Sequence, residues 1–311
     1  MKPTVVLTGV TSFVGLHLAK HFAAAGWRVV AAHQRARDSY RGPQAERLRH
    51  LTGLVEYRQL DLRDAVGITA FAGELSPQLW IQHAGYAENY GGLDYDLVAA
   101  AEVNVAPLAP LYKALRGTGC GVIVTGSSME YAASNKANCE DDACWPDFPY
   151  GLSKLSETLA ARQLALRYGV PTRVARLYIP FGPLDSPKKL LMVVAEALRA
   201  GKAIDLSPCD QCRDFVAVED VSSGYLALAT DMNRTVFDIF NLCSGQALAL
   251  KSLLLVMAKS AGRDPSLLRF GAIAMRPGEA PVSYGDNSKA KSLLGWVPHP
   301  PELSVLDLVA A

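Results

Sequence analysis

Short apolar runs alternate with longer stretches of helical spacing along the first part of the chain. Thr4-Val5-Val6-Leu7-Thr8 is apolar and β-branched and stops at Gly9. From Ser12 to about Gly26, Val14, Leu18, Phe22 and Ala25 recur at helical spacing, and Gly26 fits a C-cap. Residues 28–32 then read as a second buried strand. Strand, glycine loop, helix and strand are complete within about 30 residues, as in a βα unit of a parallel sheet. The alternation continues with predicted strands at 55–60, 79–84, 121–125 and 172–178, and predicted helices at 95–116 and 150–168. Such alternation implies a doubly wound parallel sheet, whose ligands lie at the carboxyl ends of its strands. After Tyr178 the pattern becomes irregular and richer in proline, through 179–214 and again after Ser244. The division this predicts is a large domain, 1–178 with 214–243, and a smaller interleaved lobe, 179–213 with 244–311. No internal repeat or low-complexity tract interrupts it.

Composition narrows the setting. The chain has 311 residues, 31 Lys+Arg against 30 Asp+Glu, and is 50% hydrophobic. A half-apolar chain of this length buries a sizeable core and does not stay disordered. A net charge of +1 provides no global field for a polyanion, which argues against nucleic-acid partners. No apolar run approaches the roughly 20 residues of a membrane span. The first residues lack the apolar stretch and cleavage site of a signal peptide. Six cysteines are too sparse for a disulfide framework. The expectation is a soluble protein in a reducing, cytoplasmic setting, with no membrane partner.

Three motifs carry chemistry. Thr8-Gly9-Val10-Thr11-Ser12-Phe13-Val14-Gly15 lies between a strand and a helix, where backbone amides form a pyrophosphate site. Ser12 stands where the dinucleotide pattern has a glycine, and its hydroxyl is able to donate to a phosphate. The second strand leads into His33-Gln34-Arg35-Ala36-Arg37, with no carboxylate before Asp38. NAD sites use an acidic residue here to hold the ribose 2′-hydroxyl, whereas NADP sites use an arginine, so Arg35 points to NADP(H), with NAD(H) as the alternative. Third, Tyr150-Gly151-Leu152-Ser153-Lys154 places a phenol and an ammonium on one helix face, with Ser127-Ser128 a strand end earlier. A nearby cation lowers a phenol's pKa from about 10, and the Tyr then exchanges a proton with a carbinol or carbonyl.

Taken together the motifs resemble the extended short-chain dehydrogenase/reductase family, in its nucleotide-sugar branch. The resemblance includes the glycine loop, Asp61-Leu62, His83-Ala84-Gly85, Asn104, Val124-Thr125-Gly126-Ser127-Ser128 before Tyr131, and Tyr150…Lys154. It continues with Arg176-Leu177-Tyr178-Ile179-Pro180-Phe181-Gly182-Pro183, Arg213-Asp214-Phe215, Val218-Glu219-Asp220 and Asn241-Leu242-Cys243-Ser244-Gly245. It implies a Rossmann-type fold with a C-terminal substrate-binding lobe. Tyr150 becomes the acid/base, Lys154 its tuning partner on the nicotinamide ribose, and Ser127 the catalytic hydroxyl, with Ser128 as fallback. The implied cofactor-binding set is Gly9, Thr11, Ser12, Phe13, Val14, Gly15, Arg35, Asp61, Leu62, His83, Ala84, Gly85, Asn104, Tyr150, Lys154, Tyr178 and Pro180. Ser128, Glu130, Arg213 and the Arg276 of Arg276-Pro277-Gly278-Glu279 become substrate-binding, the two arginines gripping a diphosphate.

Departures from the family pattern bear on the subclass. Family dehydratases have an acidic residue directly after the catalytic Ser/Thr or one place later; here those positions are Ser128 and Met129, and Glu130 follows. Ile179 replaces an Asn that contacts the substrate phosphate. Cys209-x-x-Cys212, Cys139/Cys144 and the His17/His21 pair lack a complete ligand set, and no metal is assigned; His17 and His21 read as a solvated face. The leading expectation is an NADPH-dependent reductase of a keto group on a nucleotide-linked deoxysugar. The alternative is an epimerase or dehydratase that keeps its cofactor; a cofactor-sensing module without catalysis is disfavoured by the intact Ser127/Tyr150/Lys154 set. The resemblance also implies a homodimer through helix 150–168.

Overall fold

Thr4–Thr8 (β1) is buried at all five positions. Arg28–His33 (β2) pairs with it in parallel on one side and carries Glu56–Gln59 (β3) at the edge. Leu79–Gln82 (β4) pairs with it on the other side and leads to Gly121–Ser127 (β5) and Thr172–Leu177 (β6), again all parallel. The computed structural model describes residues 2–275, 278–301 and Leu308. Successive strand residues face opposite ways. Val5, Leu7, Val29, Ala31, Leu79 and Ile81 enter one core, and Val6, Val30, Trp80, Val122 and Val124 the other. A strand buried on both faces has no polar alternate, hence the unbroken apolar runs.

Phe13–Ala24 (α1) and Gly42–His50 (α2) close the first core. Ala65–Leu75 (α3) helps close the second. The predicted helix 95–116 is instead two pieces, Leu97–Ala100 (α4) and Leu108–Leu115 (α5), joined by a π turn at Ala101–Val105. Pro107 has no N–H to continue the ladder, and Ala106 N bonds five residues back, to Ala101 O, at 2.9 Å. Pro149–Tyr168 (α6) also packs on the second core, through Ala161 and Ala165. The strand predicted at 79–84 ends at Gln82, because the His83 and Ala84 amides both turn to Thr8 Oγ1, each at 3.0 Å.

Beyond β6 the chain leaves the large sheet. Ile179–Phe181 (β7), Leu190–Ala200 (α7), Ile204–Leu206 (β8) and Cys212–Arg213 (β9) precede Phe215–Ala217 (β10), which pairs in parallel with β7. Val218–Thr230 (α8) then returns to the first core through Val221, Tyr225 and Leu228. Phe237–Leu242 (β11) pairs with β6, giving the order β11-β6-β5-β4-β1-β2-β3. Leu248–Ala249 (β12), Leu250–Ser260 (α9), Leu268–Phe270 (β13), Val282–Ser283 (β14) and Ser288–Leu294 (α10) follow. Residues of α7 and α9, with Phe181, Phe215 and Leu268, make a separate apolar cluster.

This is a Rossmann-type doubly wound sheet, and its connections diverge between β1 and β4. The crevice at the carboxyl ends of those strands is where such folds hold ligands.

Arg173, fully buried on β6, donates from Nε to Asp231 Oδ2 (2.7 Å) and from one guanidinium nitrogen to the Thr172 and Thr235 carbonyls (2.9 Å each). Arg173→Leu removes the donor and leaves these acceptors behind, so urea unfolding is expected to show a loss of about 3 kcal/mol. A loss below about 1 kcal/mol would show that the pair does not tie β6 to the end of α8.

Candidate active site

The crevice is built first by glycines. Gly9 has φ +78°, and a Cβ there would lie 2.8 Å from Ala84 N, so only glycine lets the loop lie against the exit of β4. At Gly15 a Cβ would fall 2.2 Å from Gly9 O, which fixes the packing of α1 beneath the loop. Ser12 is the N-cap of α1, its Oγ accepting from Gly15 N at 2.9 Å. The same oxygen lies 2.8 Å from His83 Nε2. The Phe13 and Val14 side chains are buried in the core, while their amides have no hydrogen-bond partner among the described residues. Free amides at a helix N-terminus are the donor set that a pyrophosphate takes, so the residues present fit a dinucleotide. Thr11 is held through its carbonyl by Arg47 at 3.1 Å.

At the exit of β2, His33 Nδ1 is 2.7 Å from Arg35 O. The Arg35 guanidinium lies over the Tyr40 ring at 4.6 Å and bonds Gln44 Oε1 at 3.2 Å, and that of Arg37 lies over Tyr57 at 4.8 Å. Asp61 is clamped by Arg63 (2.7 Å), whose donors draw its pKa down to about 2. Leu62 beside it is buried. Ala84 is half-buried and Gly85 exposed at the exit of β4.

The chemical end is assembled by β5 and α6. Ser127 ends β5 and caps the turn Ser128–Glu130, its Oγ accepting from Met129 N at 3.2 Å. A Cβ at Gly151 would lie 2.0 Å from Met129 O, so glycine brings the start of α6, with Tyr150, against that turn. Lys154 sits one turn further along α6, near Gly85: a Cβ added there would be 4.0 Å from its Nζ. Asn104, fully buried in the π turn, accepts from Tyr86 N and donates to Ser153 Oγ, each at 2.8 Å, tying the loop after β4 to α6. The Tyr150 ring meets Tyr90 and Tyr95 edge-on at 5.6 and 5.8 Å.

Charges behind the site differ from expectation. Lys154 Nζ is paired with Glu157, and both side chains are nearly inaccessible. Burial pushes the Tyr150 phenol up, and the opposing pull of Lys154 does not overcome it, so the predicted lowering is reversed in this state. Burial raises Glu157 to about 7 against the attraction of Lys154, with Glu130 adding to the rise. Lys154, in turn, is held above its ordinary value because Glu157 and Tyr150 outweigh its own burial. Glu130 does not face the crevice as a substrate-binding residue would. It is fully buried, accepting from Ser127 N (2.8 Å) and Arg176 Nε (3.0 Å). A Cβ at Gly126 would fall 2.7 Å from its carboxylate. Ser128 is half-buried on the same turn.

Among the lobe residues, Arg213 donates to Glu279 Oε1 at 2.8 Å and to the Cys212 carbonyl. Gln211 shares Glu279 at 3.2 Å. Arg276 lies outside the described residues. Tyr178 is buried against Tyr131 and Cys243, so its ring does not face the crevice, and Pro180 lies on the half-buried part of β7. Asp214 caps the 244–245 turn through Ser244 N (2.7 Å) and Gly245 N (3.0 Å). His17 is not a solvated face: it is mostly buried and reaches Pro183 O at 3.0 Å. Glu157 and Gly151 were missed from sequence; Glu157 lies seven residues beyond Tyr150, two turns along the same face.

This fold and this site define an NAD(P)-dependent enzyme of the extended short-chain dehydrogenase/reductase type. Residues 5–243 match the NAD dependent epimerase/dehydratase family, and the chain belongs to it. UDP-glucose 4-epimerase 1 from Oryza sativa subsp. japonica is 24% identical over 94% of this chain and 89% of its own length. GDP-6-deoxy-D-mannose reductase from Pseudomonas aeruginosa is 29% identical over 49% of this chain and 51% of its own. UDP-glucuronic acid 4-epimerase from Bacillus cereus, solved with UDP-glucuronic acid and NAD, has the same fold at a TM-score of 0.83 and 19% identity, covering 98% of this chain and 96% of that one. No helix among the described residues is long and apolar enough to cross a membrane.

Because folding raises the Glu157 pKa above its unfolded value near 4.3, the folded state retains a proton between about pH 4.5 and 7 that the unfolded chain has released. Stability is therefore expected to fall as pH rises through that window, and the fall to be shallower in Glu157→Gln. An unchanged slope in thermal unfolding would contradict the assignment.

Proposed function

We propose that this protein is an NADPH-dependent reductase of a keto group on a nucleotide-linked deoxysugar. The observation that carries the reading is the exit of β2, where Arg35 and Arg37 are stacked on tyrosines and no carboxylate precedes Asp38. Two such cations suit a 2′-phosphate, whereas a ribose 2′-hydroxyl wants an acid. When bound, the dinucleotide supplies hydride. The chain's own groups do the rest: the Phe13 and Val14 amides take the pyrophosphate, and Asp61 and Leu62 border the adenine. Lys154 reaches the nicotinamide ribose, with Gly85 beside it. Ser127 holds the carbonyl oxygen, and Tyr150 gives it a proton as charge develops. A phenol kept protonated by burial is a donor, which suits carbonyl reduction. Asn104 and Glu130 are positioning residues in this scheme. Arg213, freed from Glu279, and Arg276 would grip the diphosphate, spending binding energy away from the reacting carbon.

The burial of Glu130 on Arg176 speaks against dehydration, which needs an acid at the substrate. Epimerisation is the second reading, supported by an epimerase relative matched over nearly the whole chain. Purified enzyme with NADPH and a 4-keto-6-deoxyhexose nucleotide separates the two. Loss of reduced-nicotinamide absorbance is expected, falling at least about a hundredfold in Tyr150→Phe. Conversion of substrate without added cofactor would overturn the reductase reading, and tighter binding of NAD than of NADP would overturn the NADP preference drawn from Arg35.

We further propose that residues 179–213 with 244–311 form the substrate lobe, on the strength of an apolar cluster built on α7 and α9 and joined by Phe215 of the large domain, and that the protein works in a reducing cytoplasm, in keeping with its six free cysteines. A homodimer through α6 is supported by Leu152, Leu159 and Leu166, exposed at seven-residue spacing along that helix. Light scattering is expected to give a dimer for the wild type and a monomer for Leu159→Glu; a monomeric wild type would refute it.

A further inference from the structure

Ser12, His83, Thr125 and Tyr225 form one hydrogen-bonded chain from the glycine loop into the core. Ser12 Oγ lies 2.8 Å from His83 Nε2, His83 Nδ1 lies 3.0 Å from Thr125 Oγ1, and Thr125 Oγ1 lies 2.6 Å from the Tyr225 hydroxyl. The links come from the loop after β1, the exit of β4, β5 and α8. Ser12 Oγ also accepts from Gly15 N; the other side-chain atoms have no further partner among the described residues.

Counting protons fixes the direction of the chain. A neutral imidazole carries one N–H, and each hydroxyl one O–H. With the ring proton on Nδ1, three protons would serve only two bonds, His83 to Thr125 and Thr125 to Tyr225. One buried hydroxyl proton would then have no acceptor, which folded proteins avoid. With the ring proton on Nε2, Tyr225 donates to Thr125, Thr125 donates to His83 Nδ1, and His83 Nε2 donates to Ser12 Oγ. Every proton is then placed. Ser12 Oγ accepts from both His83 and Gly15 N, so its own proton is left to point outward, beside the open amides of Phe13 and Val14. Burial and the charge of Lys154 bring the His83 pKa down to about 3, so the ring stays neutral near neutral pH.

We propose that His83 is a positioning residue which, as its Nε2–H tautomer, makes Ser12 a fixed hydroxyl donor for a phosphate oxygen of the bound dinucleotide. With the opposite tautomer Ser12 would turn its proton inward and present a lone pair to the anion. The inference rests on the dinucleotide reading above and deepens it.

The test uses wild-type protein labelled with 15N-histidine, with His83→Asn to assign the ring signals. The nitrogen shifts and couplings are expected to place the His83 proton on Nε2; a proton on Nδ1 would overturn the proposal. Titration with NADPH and NADH gives the second arm. Ser12→Ala and His83→Leu are each expected to weaken binding about tenfold, and the double variant no more than either alone, because both remove one donor. Unchanged binding by Ser12→Ala, or additive losses, would contradict the donor role. If His83→Leu fails to fold, the tautomer and Ser12→Ala still decide. Wild-type protein that binds neither dinucleotide, with the proton on Nε2, would overturn the cofactor reading and the phosphate role with it, a result distinct from an Nδ1 tautomer.

Discussion

The site depends on one constraint: β1 and β4 lie side by side, and the chain leaves them in opposite directions. That divergence opens a crevice, and the loop after β1 must lie almost on the backbone of the β4 exit to line it. A side chain at position 9 would collide with Ala84 N at 2.8 Å, and one at position 15 with Gly9 O at 2.2 Å. The same close approach brings Ser12 within reach of His83, and Thr8 Oγ1 within reach of two β4-exit amides. Helix α1 therefore aims its open amides at a place fixed by four separate segments.

A second layer supports the chemistry from behind. Glu130 and Arg176 are a buried pair whose carboxylate also takes the Ser127 amide, so the hydroxyl at the end of β5 is set by charges that solvent does not reach. Lys154 and Glu157, one and two turns past Tyr150 along α6, are a second buried pair. A lone ammonium there would tend to lose its proton, and Glu157 opposes that loss. The carboxylate also weakens the field that Lys154 exerts on the phenol. Burial then dominates, and the Tyr150 phenol is held above its ordinary value.

Much of this is legible in sequence where the chemistry is local. The glycine loop, Tyr150 with Lys154, and the apolar runs of the sheet are contiguous patterns tied to backbone geometry. Regular alternation implies a parallel doubly wound sheet, whereas its strand order appears only in the structure. The single helix expected over 95–116 missed the break at Ala101–Val105, next to Pro107, which has no N–H to continue the ladder. Pairings over long separations carried no such signal. His83 with Ser12, Arg213 with Glu279, and His17 with Pro183 join residues 66 to 166 positions apart. A helix-face rule says which side His17 is on, not what packs there. Likewise Glu130 stands near Ser127 in sequence, yet its side chain turns inward, because Gly126 leaves room for it and Arg176 supplies the charge.

The central claim is that hydride passes from a dinucleotide in this crevice to a sugar carbonyl beside Tyr150. The most direct measurement follows a label: NADPH deuterated at the transferable position of nicotinamide C4, a 4-keto-6-deoxyhexose nucleotide, and mass spectrometry of the product. The account predicts one deuterium on the reduced carbon of the sugar. A sugar product without deuterium, formed while the labelled cofactor remains intact, would contradict it.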